Sequence, residues 1–150
     1  MQPEWGERKR ITEGFLLGLV VWREARGEPR GCRMGVASTV LNRVASPKWW
    51  GSDISSVVTK AWQYSSLTDP HDPQLTKYPT MADDSWHECL QVALNALDSV
   101  YGSPCPGADS YHDTSISAPA WAKPEMFVCQ IGRIRFFNTD GDHPENGETK

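Results

Sequence analysis

The fold of this chain is constrained most by an apolar segment that is followed by Gly27-Glu28-Pro29. Apolar residues recur at helical spacing between residues 12 and 26, namely Phe15, Leu16, Leu19 and Val20. Glu24 extends the row of Leu16 and Val20 by one more step of four, which places its carboxyl on the same helix face. Gly27 and Glu28-Pro29 follow, and helices usually end at or before the residue that precedes a proline. We therefore expect a helix that presents Glu24 close to its end.

The position of Glu24 predicts a carboxyl that is hard to ionise. Apolar neighbours disfavour the charged form, so its pKa should rise. A carboxylic acid that stays protonated near neutral pH can protonate a leaving group, as general acids do in glycoside cleavage. The same spacing of Glu24 and Glu28 is also common on solvated helix faces. Glu28 can equally cap a helix that begins near Arg30, because acidic residues favour the first helical turn.

The length and the charge limit the kind of protein. A chain of 150 residues fits one domain with a sizeable core, and its net charge of -4 argues against nucleic-acid binding. The apolar run from Phe15 to Trp22 is too short to span a bilayer, so we expect no signal peptide and no stable membrane association. Seven tryptophans are an excess, and exposed ones can stack on sugar faces, although most should pack in the core.

The four cysteines show no metal-site spacing. They are Cys32, Cys89, Cys105 and Cys129, and no C-x-x-C is present. Without a signal peptide we expect reduced, mostly buried thiols, although four cysteines permit three pairings in an oxidising compartment. We expect neither a metal nor a cofactor.

The remaining pattern predicts helices first and strands afterwards. Helices are expected at 30–45, from an N-cap at Asp53, and from 83 to 101. Strands are expected at 110–112 and twice within 126–138, with a turn near Gly132. The first eleven residues should be loosely held, and residues 139–150 should form a flexible tail. The chain is thus predicted to be one α+β domain over residues 1–138, mainly helical, with a small antiparallel sheet in its C-terminal third.

Several motifs resemble those of one known family. Residues 24–29 read E-A-R-G-E-P, Gly31 follows, and residues 36–44 end in L-N-R-V. In this the chain resembles the SleB-like, or spore cortex-lytic, cell wall hydrolases. The likeness continues through W-Q-Y-S at 62–65, the loop at 69–75, Tyr111-His112, residues 119–122 and Phe136-Phe137. It departs at Trp22-Arg23, where small or tyrosine-glycine residues are common in the family.

The resemblance implies a lysozyme-like, lytic-transglycosylase-like fold and cleavage of peptidoglycan glycan strands. The bond cut would join N-acetylmuramic acid to N-acetylglucosamine, by lytic transglycosylase or muramidase chemistry. The family's acid falls on Glu24, and Glu28 is the nearest candidate for a second catalytic carboxylate. Other matching positions are expected to line a substrate-binding groove: Gln63, Tyr64, Ser65, Tyr111, His112 and Trp121.

A lone domain without a leader is similar to the phage endolysins of Gram-negative hosts. That likeness implies synthesis in the host cytoplasm, passage through a holin-type pore, and monomeric action on the cell wall in the periplasm. One alternative is a zinc-dependent peptidoglycan amidase or peptidase that uses His71, Asp72, His87 or His112, but no H-E-x-x-H occurs. Another is a non-catalytic glycan-binding module, which leaves Glu24 unexplained.

Overall fold

A computed structural model describes residues 3–99 and 102–142, with side chains from Gly6 onward. Five α-helices come first: α1 Pro3–Ala25, α2 Arg30–Ala45, α3 Ile54–Val58, α4 Ser65–Thr68 and α5 Asp84–Leu97. Three strands follow: β1 Ser110–Asp113, β2 Phe127–Ile131 and β3 Ile134–Phe137. Two short 3-10 turns lie at Pro73–Thr76 and Pro124–Met126. The predicted α+β class is confirmed, and no described helix has both the length and the hydropathy to cross a membrane.

Helix α1 packs against α5 through two glycines. A Cβ at Gly14 would lie 2.9 Å from Leu94 Cδ2, and one at Gly18 would lie 3.0 Å from Leu90 Cδ1. The missing side chains therefore let α5 approach α1 closely. The far end of α1 is tied to the start of α5, where Trp22 Nε1 donates to Ser85 Oγ at 3.0 Å.

Helix α1 begins nine residues before the predicted start at residue 12. The segment Glu7–Arg10 is largely exposed, so it leaves no trace in a pattern of buried positions, yet its residue types are good helix formers. Phe15 is 51% exposed and stacks on Trp86 instead of joining the core. Val20 is fully buried, so the row that leads to Glu24 faces inward as expected.

The other helices follow the sequence closely. Helix α2 has the predicted bounds, and Asp53 caps α3 by accepting from Ser56 N at 2.8 Å. Helix α5 ends at Leu97, four residues before the predicted end, and Ser99 adopts a left-handed φ of 54°. Residues 100 and 101, which the prediction included, lie outside the described part of the chain.

The sheet is antiparallel with the strand order β1-β3-β2. Tyr111 pairs with Phe136 across β1 and β3, and Gly132, at φ 58°, turns β2 into β3. Phe136 is fully buried, and its ring lies against the backbone of Gly35 in α2. This contact docks the sheet on the helical part of the molecule.

The expectation of four reduced cysteines is wrong for one pair. Cys105 and Cys129 form a disulfide, with their Cα atoms 5.8 Å apart. The pairing follows from the placement of β2 beside the segment before β1, which the spacing of the cysteines does not reveal. Cys32 and Cys89 are free and buried, as predicted. Burial raises the pKa of the Cys32 thiol to about 12.

The first residues of the predicted flexible tail are held by Asp109. Its Oδ1 accepts from Thr139 N at 3.1 Å and from Thr139 Oγ1 at 2.8 Å, while Oδ2 accepts from Asp140 N at 2.9 Å. Trp49 Nε1 also donates to the Gly141 carbonyl at 3.0 Å. The packed domain therefore continues past residue 138, and residues 143–150 of the predicted tail lie outside the described ranges.

Replacing Gly35 with alanine is expected to destabilise the fold. The new Cβ would lie 2.6 Å from Phe136 Cζ, so the fully buried ring would have to shift. Overpacking of this kind costs about 1–3 kcal/mol, which exceeds the gain in helix propensity. Denaturant unfolding would measure the change. Gly31→Ala in the same helix is the control, because its Cβ would meet Ile131 at an ordinary 3.6 Å; equal stability of the two variants would contradict this account.

Candidate active site

A cavity of about 450 Å³ opens where the end of α1 meets β1. Its walls come from the segment before α4, the turn at 72–74, strand β1 and the loop at 116–121. Glu24 lines it together with every predicted groove residue: Gln63, Tyr64, Ser65, Tyr111, His112 and Trp121. The structure thus brings seven of the eight predicted site residues together, whereas Glu28 is not among the residues that line this cavity.

Glu24 carries a carboxyl whose surroundings favour the protonated form. Its Oε1 accepts a hydrogen bond from Tyr111 Oη at 2.5 Å. Burial raises the pKa of Glu24 and is the largest effect. Contacts with Tyr111 and Ser66 lower this pKa, and the negative charge of Asp72 raises it. Because burial dominates, Glu24 holds its proton at a higher pH than an ordinary glutamate does, as its apolar row predicted.

Tyr111 is the hydroxyl donor that orients Glu24. Burial, and then the charge of Glu24, raise the pKa of Tyr111 well above its usual value, so the hydroxyl keeps its proton. The ring packs at 5.8 Å from that of Phe136 and at 6.3 Å from that of Tyr64. The Ser66 hydroxyl lies outside hydrogen-bonding geometry with every described residue, although Ser66 is close enough to lower the pKa of Glu24. Tyr111 therefore makes the well-formed hydrogen bond to Glu24.

Arg43 is a cavity residue that the sequence analysis did not single out. Its guanidinium is buried, and it donates to the Asp109 carbonyl at 2.7 Å and to Gln63 Oε1 at 3.1 Å. The ring of Tyr64 lies 5.3 Å away, within cation-π distance. Arg43 continues the buried face of α2, three positions after Val40, and this spacing was the available signal.

Arg23 plays a similar part on the opposite wall. Its side chain is buried and donates to the carbonyls of Ser66 at 3.0 Å and Lys77 at 3.1 Å. These bonds fix the segment that carries Ser65 and Asp72. The cavity wall is therefore anchored to the last turn of α1, the same turn that presents Glu24.

Asp72 supplies a second carboxyl to the cavity. Its Oδ2 accepts from Ser65 Oγ at 2.7 Å, and its Oδ1 caps the following 3-10 turn by accepting from Gln74 N at 2.8 Å. In the sequence Asp72 was a candidate only for the zinc alternative. Its place beside Glu24 depends on the fold of the 62–76 loop, which no local pattern specifies.

Glu28 has different surroundings from those predicted. Its Oε1 accepts from Arg133 Nε at 2.8 Å, and that nitrogen also lies 3.2 Å from Asp113 Oδ2. Glu28 thereby ties the turn after α1 to the β2-β3 hairpin. It lines a second cavity, which also includes Glu24. A catalytic role for Glu28 stays a prediction.

Two tryptophans border the active-site cavity. Trp62 is 64% exposed and holds a left-handed φ of 69°, a conformation that is strained for a large side chain. Trp121 packs edge-on against His112, with the ring centroids 6.3 Å apart. The described residues hold no group of three or more histidine, cysteine, aspartate or glutamate side chains that is suited to a metal ion.

The buried Glu24 carboxyl should make stability depend on pH. Because its folded pKa is raised, its contribution to stability is fully present below the unfolded pKa of about 4.3 and is lost as the pH rises through the folded pKa. Glu24→Gln removes this loss, so the variant should gain stability relative to the wild type as the pH rises from acid to neutral. Denaturant unfolding across this range would measure it, with the exposed Glu125→Gln as control; parallel curves for wild type and Glu24→Gln would refute the assignment.

The sequence is similar to a cell wall hydrolase family and to a spore cortex-lytic enzyme. A family model described as cell wall hydrolase matches residues 27–137, a segment that begins just after Glu24. The spore cortex-lytic enzyme of Halalkalibacterium halodurans is 30% identical over 125 residues, which cover 82% of this chain and 34% of that protein. The chain thus spans about a third of the length of this curated relative.

Solved structures of similar fold agree with this match. The catalytic domain of the germination-specific lytic transglycosylase SleB from Bacillus anthracis superposes with a TM-score of 0.66 at 22% identity, covering 83% of this chain and 93% of that one. The SleB catalytic domain from Bacillus cereus gives 0.60, again at 22% identity, with 83% and 88% covered. The fold is therefore the lysozyme-like fold of these domains, and with the family match over most of its length the chain belongs to the cell wall hydrolase family.

Proposed function

We propose that this protein cleaves the glycan strands of peptidoglycan between N-acetylmuramic acid and N-acetylglucosamine, with Glu24 as the general acid. The observation that carries the proposal is the buried Glu24 carboxyl, with its raised pKa, at the wall of a cavity next to a tyrosine donor. Family membership supports it, since the similar proteins are named cortex-lytic enzyme and lytic transglycosylase.

The cavity offers the groups that a sugar needs. Trp62 and Trp121 present aromatic faces, on which the apolar side of a pyranose ring can stack. His112 Nε2 has no hydrogen-bond partner among the described residues, and its Nδ1 lies 3.2 Å from the Asp113 carbonyl. Because a carbonyl only accepts, Nδ1 carries the proton in the neutral ring, which leaves the buried Nε2 as an acceptor.

Glu24 would act twice. It first gives its proton to the glycosidic oxygen, the bond from muramic acid C1 to that oxygen breaks, and an oxocarbenium-like species forms. The ionised Glu24 then removes the proton from the 6-hydroxyl of the same muramic acid, whose oxygen bonds to C1 and closes a 1,6-anhydro ring. If water attacks C1 instead, the outcome is hydrolysis. Tyr111 donates a hydrogen bond to Glu24 in both steps. This hydrogen bond becomes stronger when the Glu24 carboxylate is charged.

Asp72 assists this chemistry through its charge. It lines the cavity with Glu24, and its negative charge raises the pKa of the acid. The same negative charge attracts the positive charge that develops on the sugar ring, and so stabilises the transition state. The ion pair of Glu28 with Arg133 holds the turn that follows Glu24, which is a positioning role. The predicted catalytic role of Glu28 would instead show as a loss of cleavage in Glu28→Gln.

The biological setting is part of the proposal. We propose that this single catalytic domain acts as a monomer, as a phage endolysin that is made in the host cytoplasm and released through a holin-type pore. Expression in a Gram-negative host with and without such a pore would test this. Lysis that requires the pore is the expected result, and an absence of lysis with the pore open would reject the endolysin role.

Glu24→Gln should abolish cleavage of purified peptidoglycan, with a loss of at least about 100-fold, because the amide cannot donate the proton that the carboxylic acid supplies. Mass spectrometry of the soluble products would measure it. Wild-type products with 1,6-anhydro ends would indicate a lytic transglycosylase, and reducing muramic acid would indicate a muramidase. Glu28→Gln is the matched control and should retain the wild-type product. Severed stem peptides on intact glycans, or undiminished cleavage by Glu24→Gln, would overturn the proposal.

Two substitutions should shift the pH profile in opposite directions. Activity requires protonated Glu24, so kcat/KM should fall as the pH rises through its pKa. Asp72→Asn removes a charge that raises this pKa, so the basic limb should move to lower pH. Tyr111→Phe removes a hydrogen bond that lowers it, so the basic limb should move to higher pH. Shifts of the same sign would contradict the assignment of Glu24 as the titrating acid.

A further inference from the structure

A second cavity, of about 510 Å³, lies beside the active-site cavity. Arg23, Glu24 and Gln74 line both cavities. The two differ in chemistry, because the active-site cavity has aromatic walls whereas the second is lined by charged and polar side chains with no aromatic ring. A sugar suits the first lining, and a charged group suits the second.

The charges of the second cavity favour an anion. Its lining includes three arginines, Arg23, Arg26 and Arg133, and one glutamate besides Glu24, which is Glu28. Arg23 already donates to the carbonyls of Ser66 and Lys77, and Arg133 lies against both Glu28 and Asp113. Glu24, the other acid in the lining, favours its neutral form because its pKa is raised. Guanidinium groups in excess over carboxylates bind further carboxylates well, through charge-assisted hydrogen bonds.

The arginines are held in place before any ligand binds. The guanidinium of Arg26 lies 4.1 Å from the Trp22 ring centroid and donates to Gln74 Oε1 at 2.7 Å. Arg133 uses its Nε for Glu28 and Asp113, yet its side chain remains 65% exposed. Each guanidinium is therefore already held by protein contacts, so its side chain loses less conformational entropy when it binds a ligand.

Gly27 keeps this cavity open. A Cβ at Gly27 would meet nothing within 4 Å, and its φ lies outside the left-handed region. Neither packing nor backbone conformation therefore requires a glycine at this position of the lining. The absence of a side chain leaves space between Glu24 and Glu28.

We propose that the second cavity binds a carboxylate of the stem peptide attached to muramic acid. This inference rests on the proposed function, because muramic acid is then one of the two sugars that flank the bond at Glu24. The peptide leaves the lactyl group of that sugar, so it begins within one sugar ring of Glu24. The adjoining cavity is open, positively charged and close enough to receive it.

The test compares kcat/KM for soluble glycan strands that carry stem peptides with kcat/KM for the same strands after the peptides are removed. The wild type should prefer the peptide-bearing strands. Gly27→Leu fills the cavity without removing a contact and should reduce that preference roughly tenfold or more, the equivalent of one charge-assisted hydrogen bond. Arg26→Gln, which removes one guanidinium, should act in the same direction. Gly102→Leu is the matched control, because Gly102 also has open space around its Cβ.

A preference that Gly27→Leu and Arg26→Gln reduce, with Gly102→Leu unchanged, supports the peptide site. Equal cleavage of both substrates by the wild type, or an equal loss on both in Gly27→Leu, overturns it while the glycosidase proposal stands. If the wild type cleaves neither substrate, the proposed function fails and the peptide site fails with it. Thermal unfolding of each variant shows that a change in preference comes from folded protein.

Discussion

The hydrogen bond from Tyr111 to Glu24 is the contact on which the candidate site depends. It joins the last turn of α1 to the first strand of the sheet, across 87 positions of sequence. The strand reaches this place because β3 docks on α2, where the Phe136 ring lies on the bare backbone of Gly35. The environment of the acid is therefore set by the packing of the sheet on the helices.

Buried cations order the irregular segments around that contact. Arg23 and Arg43 satisfy the backbone carbonyls of Ser66 in the one-turn helix α4 and of Lys77 and Asp109 outside helices and strands. A buried guanidinium is costly unless its donors are used, and here the carbonyls, the amide of Gln63 and the aromatic rings use them. Side chains on α1 and α2 thus hold the loops that form the walls of the active-site cavity.

Local patterns predicted much of the fold and part of the site. Helix α2, the Asp53 cap and the hairpin at Gly132 follow from turn chemistry and periodicity, which act over a few residues. The burial of Glu24 followed from its row on α1. Asp72, Arg23 and the Cys105–Cys129 disulfide did not, because each depends on segments that only the tertiary fold brings together. The surroundings of Glu28 also could not be predicted, because they lie across the helix end at Ala25 and depend on the β2-β3 hairpin, from which Arg133 pairs with Glu28.

The hydrogen bonds that Asp109 accepts from Thr139 and Asp140 set a minimum length for the folded domain. Asp109 is buried beside Arg43, and the donors to its carboxylate include the backbone and hydroxyl of residues that follow β3. A segment cut to the family match, residues 27–137, would leave this carboxylate in the interior without those donors and would also lack Glu24. The packed unit that contains the candidate site therefore extends beyond the recognisable family segment at both ends, so a transfer of this site to another protein would have to include both flanks.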